Sequence, residues 1–522
     1  MFEQFVHRGY ELKEIIFFFE MHQPRRIKRN FGRKYPYQGG VEDIYFDDDL
    51  NREILNRVAR HCYIPGLENL LKSAEEDGFK CALGVSGVFL EQCSWWEPRI
   101  IELIKELVNS GACELVGETY YHSLACMINV EEFKEQVGAH RRVIKELFGV
   151  EPSAAENTEF IYNNGIAKVF EDMGFKVVLT EGADRVLGQR SPNYMYRAKE
   201  TQLLILMRNY MLSDDIGFRF TCRDWNEWPL TAEKYAEWLF RSPGDLILIA
   251  MDFETFGEHH WPDSGIHDFI RALPKEVKKY GDMEFSTPSE AASRLQPKDE
   301  IDIPETISWA DLERDLSAWL GNDMQRHCFD VVKYLEPMAK SAGGRYLRAW
   351  RYFTTSDYYH YMSTKGGGAG AVHSYFSHFN SPIEAFLSLT WVLADFRYRL
   401  YEAMGDKAAY YRMLFGDLPE THAFHFYSGF AEPLGVSVKN LTELREVLGR
   451  IDERSLKFHI ARGDLSRWVD EVLGCRALAQ ELLMVKRLPE GWKESVIKAV
   501  EGAISAAKTG LFGGERHEVG KI

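Results

Sequence analysis

Hydrophobic positions along this chain fall into short runs, and nearly every run stops at a polar cluster. Leu246 to Met251 follows a Pro243-Gly244 turn signal and ends in Asp252-Phe253-Glu254-Thr255-Phe256-Gly257-Glu258-His259-His260. A run of that length predicts a fully buried strand rather than a helix. The pattern recurs: Ile15 to Phe19 precedes Glu20-Met21-His22-Gln23-Pro24, and Cys81 to Val85 precedes Ser86-Gly87. Glu114 to Val116 leads into Gly117-Glu118 and His122, and Ser153 to Ala155 into Glu156-Asn157-Thr158-Glu159. Lys176 to Leu179 ends at Thr180-Glu181, and Leu203 to Met207 at Arg208, followed by Asp214-Asp215. Met283 to Phe285 is the candidate for an eighth strand. Between them, stretches such as Ile100 to Ser110 and Ile166 to Met173 carry apolar residues at helical spacing. Alternation of this kind predicts an α/β fold with a parallel sheet closed into a barrel, whose strand C-termini share one mouth.

The pattern changes after residue 300. Ser308 to Lys333, Glu336 to Arg351, Pro382 to Met404 and Lys407 to Phe415 all read as helices, with Ile303-Pro304 and Thr306 to Ser308 as the linker. The expected division is therefore a barrel over 1–300, a helical domain over 301–417, and a small α-rich module over 418–522 with a frayed tail from Gly510. Arg25 to Asp49 reads as an insertion that shapes a cleft, and Gly366 to Gly370 as a mobile connection rather than a phosphate loop.

A length of 522 residues calls for two or three domains. A net charge of −16 argues against nucleic acid or an anionic membrane as partner. No run is long enough to span a bilayer, and Met1 to Glu20 does not read as a secretory signal, so a cytoplasmic location is expected. The eight cysteines form no CxxC pair; they are expected to be free, buried thiols. No cofactor is indicated. The 13% aromatic content suits flat, amphipathic ligands such as sugars, although large cores use aromatics too.

Seven ordered segments carry a resemblance to glycoside hydrolase family 57, in particular its α-amylase-like branch. They are His22-Gln23-Pro24, Glu114 to Glu118, Asn157 to Asn163, Leu212 to Ile216, Met251 to His259, Leu316 to Asn322 and Thr355-Ser356-Asp357. The resemblance implies a (β/α)7 barrel followed by a helical domain that closes one side of the cleft, and retaining chemistry on an α-glucan or maltooligosaccharide. It places Glu159 as nucleophile and Asp252 as general acid/base, with His22 and Trp319 contacting sugar. Glu156 departs from the family's pattern, where many relatives carry arginine; Thr355 to Tyr361 is a looser version of the usual run. The same chemistry serves an α-1,4-hydrolase, a 4-α-glucanotransferase or a branching enzyme. Two other classes stay open: a metal-dependent deacetylase or mannosidase, and a silent glycan-binding protein.

The residues support this chemistry independently. Cleaving an acetal needs a protonated carboxyl at the leaving oxygen and, for retention, a second carboxylate roughly 5–5.5 Å away. Burial and the neighbour's charge would separate the two pKa values. Further substrate contacts are expected from Glu118, His122, Asp214, Asp215, Glu254, His259 and Asp357. Each has a plainer alternative. His22 could bond backbone in a packed turn, Asp214 and Asp215 could cap a helix, and Trp319 could be core, unless Gly321 admits a sugar ring to its indole face. His259 and His260 invite a zinc reading with His22, His122 and Asp252, but no HxxxH or HExxH spacing supports it. In the C-terminal module, Arg462 and Asp464 are expected to pair and Trp468 to fill a small core, with a protein partner as the alternative role.

Overall fold

The computed structural model describes residues 12–32, 39–365, 377–488 and 490–513. The expected connection at Gly366 to Gly370, part of the Arg25–Asp49 insertion and most of the tail lie outside them. Two compact units result: Met1–Val331 with Arg351–Val392, and Val332–Trp350 with Leu393–Ile522. The segment expected as one helical domain, 301–417, is divided between them, because the helices Asp323–Ala342 and Pro382–Met404 each run from one unit into the other.

In the first unit, every expected strand is present: β1 (Lys13–Met21), β2 (Cys81–Val85), β3 (Cys113–Val116), β4 (Ala154–Glu156), β5 (Val177–Glu181), β7 (Leu204–Arg208), β8 (Leu246–Asp252) and β9 (Met283–Phe285). Two short strands went unforeseen: β6 (Tyr196–Ala198), antiparallel to β7, and β10 (Glu300–Ile301), which pairs β6. Parallel pairing joins β1 to β2, β2 to β3, β4 to β5, β5 to β7, β7 to β8 and β8 to β1. A Gly117–Ala155 bridge closes the gap between β3 and β4, so seven strands make a complete (β/α)7 barrel. The ninth strand pairs only Lys13 to Ile15 of β1, below the stretch that β2 occupies.

Strands buried on both faces read as unbroken apolar runs, which is why they were legible. Alternation sorts their side chains. Ile16 and Phe18 of β1 join Ala82, Val116, Ala154, Leu179, Leu206, Leu248 and Ala250 in one buried cluster, and Phe18 packs on Phe160 at 5.5 Å between ring centroids. Phe17 and Phe19 point the other way, onto Phe79 and Phe253. Two residues beyond the last inward apolar position of four strands stand Glu20, Glu118, Glu156 and Asp252, a ring of carboxyls at the barrel's C-terminal end. Gly84 makes room for it: a Cβ there would overlap the Glu20 carboxylate and lie 2.8 Å from Phe18 Cζ.

The helices follow their apolar stripes. Arg99–Asn109 buries Ile100, Leu103, Ile104, Leu107 and Val108, and Asn164–Asp172 is capped by the Asn163 side chain accepting from the Ile166 N–H at 3.0 Å. The expected helix from Ser308 begins only at Ser317–Leu320, before Asp323–Ala342. Residues 308–316 spend their backbone bonds elsewhere: the Trp309 N–H donates to the Glu159 carbonyl, and Asp311 and Arg314 take positive φ of 57° and 49°. The helix expected over Glu336 to Arg351 is likewise broken, by Gly343 and Gly344 at φ 64° and 48°.

The second unit carries a hairpin, β11 (Phe424–Gly429) and β12 (Glu432–Val438), that the α-rich reading of 418–522 did not foresee. Phe424 and Phe426 pack with Leu444, Leu448, Leu456, Trp468, Val469, Leu482 and Val500 in one core. The Arg462 guanidinium donates to Asp464 at 2.8 Å and the Trp468 indole to the His422 carbonyl at 2.8 Å, as the pairing and mini-core reading required. Helix Trp492–Phe512 continues through Gly510, where fraying was expected. Among the described residues no helix is long and apolar enough to cross a membrane. Cys222 is exposed, against the expectation of buried thiols; Cys62, Cys81, Cys93, Cys113 and Cys328 are buried.

Candidate active site

At the C-terminal end of the barrel lies a cavity of about 650 Å³, lined among others by His22, His122, Glu159, Arg208, Asp252, Glu254, Trp309, Trp319, Asp357 and His360. Glu159 sits in the turn after β4 with φ 62°, a left-handed backbone that a non-glycine residue adopts only where its surroundings impose it. Its carboxylate is held from three sides. The Trp309 indole N–H donates to Oε2 at 2.7 Å, the Ser356 hydroxyl donates to Oε1 at 2.9 Å, and His122 Nε2 lies 3.7 Å from Oε1. Burial alone would raise the Glu159 pKa; His122 and the indole outweigh it and hold the carboxyl below its usual value.

Asp252 ends β8 opposite Glu20 of β1. Burial first, and then the negative charge of Glu159, push its pKa up to about 7. Glu254 is buried deeper, accepting from the Tyr63 hydroxyl and from Gln23 at 3.3 Å; burial and Asp252 push it up to about 8. The cavity thus holds one carboxylate kept ionised and a neighbouring carboxyl kept protonated to near neutral pH, the division of labour that acetal cleavage needs.

His122, at φ 45°, stacks on His22 with 4.2 Å between ring centroids. Burial opposes its protonation, but Glu118, Glu159 and Glu20 surround it and raise its pKa well above the ordinary histidine value. Burial and that neighbouring charge lower the His22 pKa, against the opposing pull of Asp357. Its Nδ1 meets the Ser86 hydroxyl at 2.6 Å and its Nε2 meets Asp357 at 3.1 Å. Burial works against the Asp357 charge, while His22 and His122 keep it well below the carboxylate range.

Of the expected substrate contacts, His22, His122, Asp214, Glu254, His259, Trp319 and Asp357 lie on the cavity wall. Two do not. Glu118 is fully buried behind His122, donating its backbone N–H to His140 at 3.3 Å. Asp215 turns away to pair with Arg219 at 2.7 Å. Neither Asp214 nor Asp215 caps a helix: both lie inside Tyr210–Gly217, which Asn209 caps, and Asp214 instead accepts from Arg208 at 2.6 Å. Trp319 is almost wholly buried, and Gly321 packs against the Ser317 carbonyl instead of admitting a ring to the indole. Burial drives the His259 pKa down to about 3, and the ring nitrogens of His260 are taken up by Thr221 and by the carbonyls of Ile216 and Gly217. Among the described residues, the group whose spacing could hold a metal ion is a different one, Glu20, Glu118 and His122.

Trp309, Ser356, Arg208 and His360 were not foreseen. Ser356 stood next to Asp357 in a noted motif, and Arg208 ended a noted strand; Trp309 gave no signal, because its loop was taken for helix.

Comparison with known proteins gives the chain's family and fold. The model of glycosyl hydrolase family 57 matches residues 16–304. A protein of Methanocaldococcus jannaschii described as "Putative alpha-amylase" is 44% identical over 402 residues, which is 75% of this chain and 85% of the relative. A GH57 branching enzyme of Thermococcus kodakaraensis shares the fold with a TM-score of 0.54 at 15% identity, over 78% of this chain and 92% of that one. A 4-alpha-glucanotransferase of Thermococcus litoralis is similar at a TM-score of 0.46 and 18% identity; the match covers 67% of this chain and 52% of that one.

Proposed function

Because this chain belongs to glycosyl hydrolase family 57, and is thereby an enzyme of the glycoside hydrolase and transferase class, we propose that it cleaves α-1,4-glucans with retention, using Glu159 as nucleophile and Asp252 as general acid/base. The observation that carries this reading is the split between two neighbouring carboxyls: Glu159 below its ordinary value, Asp252 raised to about 7. Asp252 donates its proton to the glycosidic oxygen as the bond to the anomeric carbon breaks, and Glu159 forms the glycosyl ester. The resulting Asp252 carboxylate then takes a proton from the water, or from the sugar hydroxyl, that attacks this ester. Trp309 and Ser356 fix the nucleophile's two oxygens, so the attacking geometry is set before substrate arrives. His22 and Asp357 form a hydrogen-bonded pair on the cavity wall suited to sugar hydroxyls.

The test is product analysis with maltooligosaccharides for wild type, Glu159→Ala and Asp252→Ala. Shorter products alone, absent from both variants, support hydrolysis by this pair. Longer products in addition make the enzyme a glucanotransferase with the same pair. Undiminished cleavage by either variant removes the assignment.

A further inference from the structure

We propose that Glu20, Glu118 and His122 bind one small divalent transition-metal ion, zinc being the best fit, beside the nucleophile end of the cavity. One ligand atom from each lies within 4.8 Å of the others. His122 Nδ1 stands 3.3 Å from a Glu118 oxygen and 3.6 Å from Glu20 Oε1. In a tetrahedral zinc site with bonds of about 2.0–2.1 Å, neighbouring ligand atoms are separated by about 3.4 Å, so these edges already bracket the required spacing.

The charge balance points the same way. All three side chains are buried, and so is the Glu156 side chain. Glu20 Oε1 and Glu118 Oε1 receive no hydrogen bond although water is excluded from both, and beyond His122 the Glu20 carboxyl is hydrogen-bonded only to that of Glu156. Buried carboxylate oxygens without donors are strongly unfavourable, and one imidazole cannot compensate several of them. A dication can. One imidazole nitrogen with carboxylate oxygens suits zinc or manganese, and lacks the sulfur that copper(I) would prefer.

The surroundings hold the ligands in place. His140 accepts the Glu118 N–H through Nδ1 and donates from Nε2 to the Val85 carbonyl at 2.9 Å, and the absence of a Cβ at Gly84 leaves the Glu20 carboxylate its space. An ion on His122 Nδ1 would leave the ring's proton on Nε2, facing Glu159 Oε1. The metal therefore acts as a positioning element for the ring that contacts the nucleophile.

The test is metal analysis of the full chain, stripped with chelator and dialysed against micromolar zinc or manganese chloride. It reads metal content and not turnover, so it can fail while the glycosidase reading stands, and the reverse. About one equivalent should bind to wild type and less than about a tenth of that to Glu118→Gln and Glu20→Gln. X-ray absorption of the zinc-loaded wild type, which does not depend on the variants folding, should show a single imidazole among oxygen ligands. Wild type without stoichiometric metal, variants that bind as much, or a shell with two imidazoles or sulfur would each overturn the proposal; the first would leave protons as what neutralises the cluster.

Discussion

On the proposed mechanism, the pKa of Asp252 sets how this enzyme responds to pH. Its folded value, about 7, lies far above that of an ordinary aspartate. Below pH 7 it keeps the proton that the leaving oxygen must receive; above it the proton is lost, and with it the acid. The rate should therefore fall about tenfold per pH unit on the alkaline side. The check is kcat/KM for a maltooligosaccharide between pH 5 and 9. A profile flat to pH 9 would assign the acid to another group, and Glu254, held protonated to about 8, is the one to examine next. At this scale the lining of the cavity was largely legible. Glu159, Asp252, His22 and Asp357 were each marked by a strand end or a motif. Trp309 was not, because nothing in Ser308-Trp309-Ala310 tells a reader that its backbone bonds back to Glu159 in place of starting a helix.

At the scale of elements, β1 and β2 show how a small residue can be dictated by a charged one. Gly84 faces Glu20 across the pair, and its missing Cβ is the space the carboxylate fills. Gly84→Ala should cost about 1–3 kcal/mol by overpacking against Phe18 and Glu20, read as a lowered denaturant midpoint at unchanged m-value. An alanine variant as stable as wild type would show that the barrel interior yields there. Strands such as β1, β2 and β8 were legible because both of their faces are buried, so no polar alternation broke the apolar runs. The strands that were missed, Tyr196–Ala198, Glu300–Ile301 and the hairpin, are too short or too exposed to leave such a run. The hairpin had one available sign: Phe424 and Phe426 alternate with His425.

At the scale of the whole molecule, each unit has its own buried core. Calorimetry should therefore resolve two unfolding transitions. Trp468→Ala, which empties a space beside Phe424 in the second unit's core, should lower one of them by about 3–5 kcal/mol and leave the other in place. A single transition that shifts as a whole would make the chain one cooperative body. The boundary at 301–417 was not legible because long helices carry the chain from one unit to the other without any linker composition to mark the crossing.

With Glu159 as the proposed nucleophile, its left-handed backbone has a consequence for anyone wishing to turn this catalyst into a synthetic tool. A retaining glycosidase stripped of its nucleophile can still join an activated fluoride donor to an acceptor sugar, and alanine is the usual replacement. Here alanine would inherit a conformation that costs a side-chain-bearing residue about 1 kcal/mol, whereas glycine would occupy it freely. Glu159→Gly should be the hardier scaffold for building oligosaccharides.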